Sequence, residues 1–274
     1  MLVKEINAIF PDFWAGTQLS FKYHSYERTH ENWSQEPILQ PFSRLNFVVD
    51  GSCVFYSDNQ RIEMEPGNVY LIPGAIPNGY YGTDSVELIN FEFFLTMPDG
   101  LDYFSSCKRY LSYKIPMGKI KQIISCYTSN DATDMLYLKS VVWESISKFA
   151  QMLTEDEKRR VIYSNTVQKA IVYIRKNLSS SLTVKEVSDG IFASYSALNN
   201  KFRKELGLSV SEYIEHLVMK EAQRKLLTSD VPIGRISAML GFCDQFYFSR
   251  RFKKLFGMTP QEFRRINKKC EGLG

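Results

Sequence analysis

At 274 residues, with 44% apolar and 23% charged side chains, the chain is long enough for two packed cores, and no apolar run approaches the length of a membrane span. Five scattered cysteines with no CxxC pair point to reduced thiols in a cytoplasm rather than a disulfide framework, and Lys4, Glu5, Pro11 and Asp12 are wrong for a secretory leader. The net charge of +4 conceals a division: residues 1–164 carry −5 and residues 165–274 carry +9, so only the second part suits a polyanionic partner.

Residues 1–36 read as aromatic-rich and irregular, with Phe10, Phe13, Trp14, Phe21, Tyr23, Tyr26 and Trp33. Arg44 to Val49, then Asp50-Gly51, then Ser52 to Tyr56 predict strand, turn, strand, and Asp58-Asn59 offers a second hairpin turn. Glu65-Pro66-Gly67-Asn68 is a turn before a short buried strand, Val69 to Ile72, closed by Pro73-Gly74. Val86 to Leu95 alternates, with Val86, Leu88, Asn90, Glu92 and Phe94 on one side and Glu87, Ile89, Phe91, Phe93 and Leu95 on the other. Short strands at this spacing predict a small antiparallel barrel or jelly roll.

From residue 116 the period becomes helical. Ile120, Ile123, Ile124 and Tyr127 make one stripe; Leu138, Val141, Val142, Ile146, Phe149 and Leu153 make another. Either stripe packs on the strands or forms a dimer contact, and both can hold. The charged run 154–164 reads as an inter-domain linker.

The C-terminal part repeats itself. Asn200 to Ile214 lines up with Arg250 to Arg264, pairing Phe202 with Phe252, Lys204 with Lys254, Gly207 with Gly257, Glu212 with Glu262 and Tyr213 with Phe263. Thr183 and Glu186 form one capping box and Thr259 and Glu262 another, with Pro260 at the first helical position; Ser194 and Asp244 are caps for the two helices that follow each turn. Between the repeats, Ser211 to Leu227 carries one apolar stripe and predicts a rod of about 25 Å. Two helix-turn-helix units on one rod suit successive major grooves, about 34 Å apart. The exposed positions suited to base edges are Ser196, Asn199 and Asn200 in the first unit and Gln245, Phe246, Ser249 and Arg250 in the second. Lys201, Lys204, Lys253, Lys254 and the helix start at Thr259 suit phosphates. Exposed Lys and Arg alone would read as a solvated face; the paired modules decide otherwise.

On the runs LGFCDQFYFSRRFKKLFGMTPQEFRR and ALNNKFRKELGLSVSEYI, residues from about 166 to 268 resemble the AraC/XylS-type transcription regulators. The longer second turn is a feature of that family, whereas Cys243, Phe246 and Phe192-Ala193 depart from its usual pattern. The resemblance implies a multi-domain α+β chain. A cupin-like, β-barrel effector and dimerisation domain with trailing helices would span 1–155, a linker 156–165, and an all-α double helix-turn-helix domain 166–274. It also implies promoter DNA, RNA polymerase, a small organic effector such as a sugar, and a homodimer through the N-terminal helices. The order of the hairpin, EPG and IPG turns resembles a cupin domain more weakly. Such a barrel holds one small ligand; Arg44, Asn46, Asn90 and Glu92 are candidates to face it, with Trp33, Tyr70, Tyr80 and Tyr81 as walls, although Arg44 and Glu92 also read as a surface pair. A metal is not expected: the chain has three histidines, and Asn78 stands where cupins often have one. No phosphate loop, nucleophile elbow or zincin helix is present, so no cofactor or catalytic residue is assigned. The rival reading is a cupin-type binding protein or enzyme with only non-specific nucleic-acid affinity.

Overall fold

A computed structural model describes residues 16–74, 76–82, 84–158 and 163–269; Phe10, Phe13, Trp14 and Cys270 lie outside them. The chain divides into two units, one of Gln18–Thr96 with Asp102–Arg159, the other holding Met97–Leu101 and the chain from Arg160.

The first unit opens with β1 (Gln18–Arg28) and β2 (Ser34–Leu39), so the described part of the aromatic stretch expected to be irregular is mostly strand. Then come β3 (Ser43–Asp50), β4 (Cys53–Ser57), β5 (Gln60–Met64), β6 (Asn68–Ile72), β7 (Pro77–Tyr81), β8 (Glu87–Thr96) and β9 (Leu111–Lys114). They form a five-stranded sheet ordered β1-β8-β3-β6-β9 and a four-stranded sheet ordered β2-β7-β4-β5, with every pairing antiparallel. The expected closed barrel is therefore corrected to two separate sheets. Each keeps its own hydrogen-bonded ladder, as in a double-sheet arrangement. Asp50-Gly51 turns β3 into β4, and Gly51 takes φ +74° where a Cβ would meet the Ser85 carbonyl oxygen at 2.4 Å.

Alternation gives the five-stranded sheet two different faces. Leu45, Phe47, Ile89, Phe91 and Phe93 pack against α1 (Met117–Tyr127) and α2 (Ala132–Met152), through Ile120, Ile123, Val141, Val142 and Phe149. Val48, Tyr70, Ile72 and Leu88 face the other sheet, with Cys53, Phe55 and Met64. Asp131 caps α2 by accepting from the Thr133 N–H at 2.6 Å.

The second unit is helical: α3 (Asn165–Lys176), α4 (Val184–Gly190), α5 (Tyr195–Leu206), α6 (Val210–Thr228), α7 (Ile233–Met239), α8 (Gln245–Phe256) and α9 (Pro260–Lys269). One core joins them, with Val187, Leu198, Phe202, Tyr213, Leu217, Ala222, Ile236, Phe248, Phe252 and Phe263 all buried. Leu101 completes it, and the Tyr213 hydroxyl donates to the Asp99 carbonyl.

Candidate nucleic-acid interface

The helices α5 and α8 are built alike. Each has 12 residues, a side-chain cap at its start and a left-handed glycine after its last turn: Gly207 at φ 73° and Gly257 at φ 75°. Ser194 accepts from the Ala197 N–H at 3.2 Å. Asp244 accepts from Phe246 and Tyr247 at 3.0 and 2.9 Å, and those two N–H groups hold its carboxyl below the usual carboxylate range. Because lengths and caps agree, positions along the two helices correspond one to one. The fourth and eighth are the buried anchors, Leu198 and Phe202 in α5 and Phe248 and Phe252 in α8. The turn before each helix also repeats, with Phe192 and Gly241 both at positive φ, 56° and 83°.

The remaining positions point outward. In α8, Gln245, Phe246 and Arg250 are exposed and Ser249 is half-buried, with Phe246 74% exposed despite being aromatic. Gln245 folds back over Gly234, where a Cβ would lie 2.4 Å from its Oε1. In α5, Ser196 and Asn200 are exposed. Asn199 is half-buried, and its Oδ1 accepts from the Val210 N–H at 3.2 Å, leaving its amide N–H₂ for another partner. The phosphate candidates Lys204, Lys253 and Lys254 are exposed, whereas Lys201 is half-buried and donates to Thr166 Oγ1 at 2.8 Å. Its counterpart Arg251 is similarly tied, to Glu215 on α6, so the seventh position of each helix braces the domain. The Thr259 hydroxyl is engaged with Glu262 in both directions, at 2.8 and 3.2 Å, which leaves the α9 start less open to a phosphate than the lysines.

Tyr195, 57% exposed, is the counterpart of Gln245, and exposed Arg203 is the counterpart of Lys253. Neither stands out when α5 is read alone; the fifty-residue offset that pairs the repeats is the signal that finds Arg203. Beside α8 runs a cleft of about 510 Å³ lined by residues 180–185 at the start of α4, by Tyr195, Tyr247 and Arg251, and by Ile214, Glu215 and Val218 of α6. Polar side chains on two matched helices, lysines and an arginine beside them and aromatic rings at their starts form a surface suited to duplex DNA: cations neutralise phosphates while amide, hydroxyl and guanidinium groups meet base edges.

The candidate effector residues fall in the sheet unit. Arg44 is buried, so it and Glu92 are not a surface pair: Arg44 Nε donates to Glu92 Oε1 at 3.1 Å, and its two terminal nitrogens donate to Asn78 at 2.9 Å and Gln40 at 2.6 Å. Asn46 and Asn90 are buried cross-strand neighbours on the same face. The Trp33 and Tyr80 rings lie 4.4 Å apart between the sheets, and the Tyr70 hydroxyl is spent on Glu63 and Glu65 backbone groups. Tyr81 alternates to the other face of β7 and lies against Tyr56 and Arg61. Among the described residues no group of three or more His, Cys, Asp or Glu is arranged to hold a metal, and no helix is long and apolar enough to cross a membrane.

Residues 174–266 match a family model described as a helix-turn-helix domain. Over 236 residues, 81% of this chain and 83% of the other, the sequence is 26% identical to the lactose operon transcription activator of Staphylococcus xylosus. It is also 26% identical to the Msm operon regulatory protein of Streptococcus mutans over 258 residues, 90% and 92% of the two chains. The arabinose operon regulatory protein of Escherichia coli is 39% identical over 101 residues, 36% of this chain and 35% of that protein. Among solved structures, ToxT from Vibrio cholerae shares the fold, with a TM-score of 0.52 at 15% identity over 91% of this chain and 97% of that one.

Proposed function

We propose that this chain, an AraC/XylS-type transcription regulator, reads its promoter by setting α5 and α8 into successive major grooves, and that a small organic effector held by the sheet unit adjusts that binding. One observation carries the reading: two helices of equal length, capped and anchored at matching positions, present polar side chains from a single packed core. A non-specific basic surface has no need of matched positions, so the non-specific rival is not favoured.

In this reading Arg250 takes a guanine edge in bidentate fashion, Asn200 and Gln245 suit adenine, Ser196 and Ser249 are smaller polar contacts, and Phe246 meets a thymine methyl. Asn199 contributes through its remaining N–H₂. Lys204, Lys253 and Lys254 neutralise phosphates, with Lys201 and the α9 start in lesser roles. The relatives that regulate lactose and arabinose operons support a sugar as the effector class. Trp33, Arg44, Asn46, Tyr80, Asn90 and Glu92 are the proposed ligand-facing set; Tyr70 and Tyr81 serve in packing. The exposed Leu136 and Trp143, seven residues apart on α2, support a homodimer through this helix. Activation through contact with RNA polymerase follows from the family reading.

Selection of genomic fragments by the purified protein, followed by footprinting, tests the proposal. The expected result is a sequence-preferring footprint covering two neighbouring major grooves on one side of the duplex. Equal affinity for selected and random duplex in moderate salt would remove it.

A further inference from the structure

The space between the two sheets contains an excess of buried hydrogen-bond donors. Lys22 Nζ donates to Glu92 Oε2 at 3.0 Å and Arg44 Nε to Glu92 Oε1, so two cations share one carboxylate and a buried charge of +1 is left over. All three side chains are more than nine-tenths buried. Arg44 uses three of its N–H groups on Glu92, Asn78 and Gln40, out of the five a guanidinium carries. Gln40 has its oxygen on Arg44, which fixes its Nε2 as an outward donor, and that atom is buried without a partner. Asn46 Nδ2 and Asn90 Oδ1 are also buried without partners, side by side across β3 and β8. A donor and an acceptor placed together are what a hydroxyl satisfies, since it both accepts and donates.

Buried polar groups are paired in native proteins, and an unshared buried charge costs more than an unshared dipole. A neutral sugar answers the Asn46–Asn90 pair but leaves the surplus cation. We infer that the ligand of this unit is a small hydroxy acid, its carboxylate taken by Arg44, Lys22 and Gln40 and a hydroxyl by Asn46 and Asn90. This deepens the effector reading above and rests on it.

Titration calorimetry of the full chain with D-gluconate and D-glucuronate, each against D-glucose, tests the inference. The expected result is at least a tenfold tighter Kd for an acid than for glucose. Asn46→Asp, which sets a second carboxylate beside the site with little change of size, should weaken the acid tenfold or more. Lys22→Met should weaken the acid as well, and the melting temperature of each unliganded variant shows whether it folds. Glucose binding as tightly as the acids, acid binding indifferent to both substitutions, or no binding of either class overturns the assignment. Promoter affinity measured in parallel separates the two readings. Tight acid binding that leaves promoter affinity unmoved keeps the site and removes the effector role; a response to glucose alone does the reverse.

Discussion

Phe192 is 99% exposed and sits at φ +56°, a region in which an L-side chain is strained. The equivalent turn before α8 places Gly241 there. Nothing in the packing of the domain rewards the phenyl ring, so Phe192→Gly should stabilise the protein by about 1 kcal/mol, the left-handed strain outweighing glycine's entropy. Thermal or urea unfolding reads this directly, and a fall in stability would contradict it. Arg250 and Lys253 lie three positions apart on α8 and answer to different physics. Arg250→Ala should cost about 1–3 kcal/mol on the selected site and much less on random duplex. Lys253→Ala should weaken both alike and flatten the salt dependence by about one ion. Binding isotherms at several salt concentrations on both duplexes distinguish the two. At this scale the sequence was legible wherever a residue repeats, as with Phe202 and Phe252. It was opaque at Lys22, which enters the buried cluster beside the irregularity in pairing between Phe21 and Tyr23. A β-bulge re-aims a side chain through backbone geometry, and residue type carries no mark of it.

Helix starts were legible because caps are local chemistry. The boxes expected at Thr183–Glu186 and Thr259–Glu262 make their reciprocal bonds, and Ser209–Glu212, not singled out in the sequence, makes both as well. Backbone donors at Thr183 and Thr259 hold Glu186 and Glu262 below their ordinary range, and the Ser209 hydroxyl does the same for Glu212, ahead of its backbone N–H. A carboxylate whose folded value is depressed stabilises fully above its unfolded value, near pH 4.3 for Glu, and loses that contribution as pH falls through the folded value. The melting temperature should therefore fall as pH drops below about 4.5. Glu186→Gln with Glu262→Gln should make the fall shallower while lowering stability at neutral pH; parallel melting curves from pH 7 to 3 decide the point. The early strands were not legible. β1 and β2 occupy residues read as irregular because their alternation is blurred: β1 mixes Tyr, His, Ser and Lys on both faces, and both strands contain register shifts. Pairing with β8 and β7, distant in sequence, makes them strands, and a local pattern does not carry that information.

The helical unit is assembled from separate stretches of chain. Met97–Leu101 belongs to it, supplying Leu101 to the core and carbonyl and carboxylate oxygens of Asp99 to Tyr213 and Tyr163. A fragment beginning at residue 160 lacks those partners and should melt below the same domain in the intact chain, since a buried hydroxyl without its acceptor costs about 1–3 kcal/mol. In the proposed reading, α6 fixes the geometry of DNA binding. Its 19 residues span about 28 Å at 1.5 Å each, and Tyr213, Leu217, Val218, Ala222 and Leu226 are buried along it, so it cannot lengthen or swing. In that reading the sites for α5 and α8 lie close to one helical turn apart, about 34 Å. Inserting five base pairs between the half-sites puts the second groove on the opposite side of the duplex. Inserting ten restores the side but moves the groove to about 68 Å, twice the helical repeat and far beyond the reach of the rod. Both insertions should reduce affinity toward the non-specific level, a loss of at least about a thousandfold for a site that needs both helices. A flexible connection would instead recover binding with the ten-pair insertion. Competition gel shifts on the three duplexes separate these outcomes, and recovery at ten base pairs would show that α6 does not act as a rigid spacer.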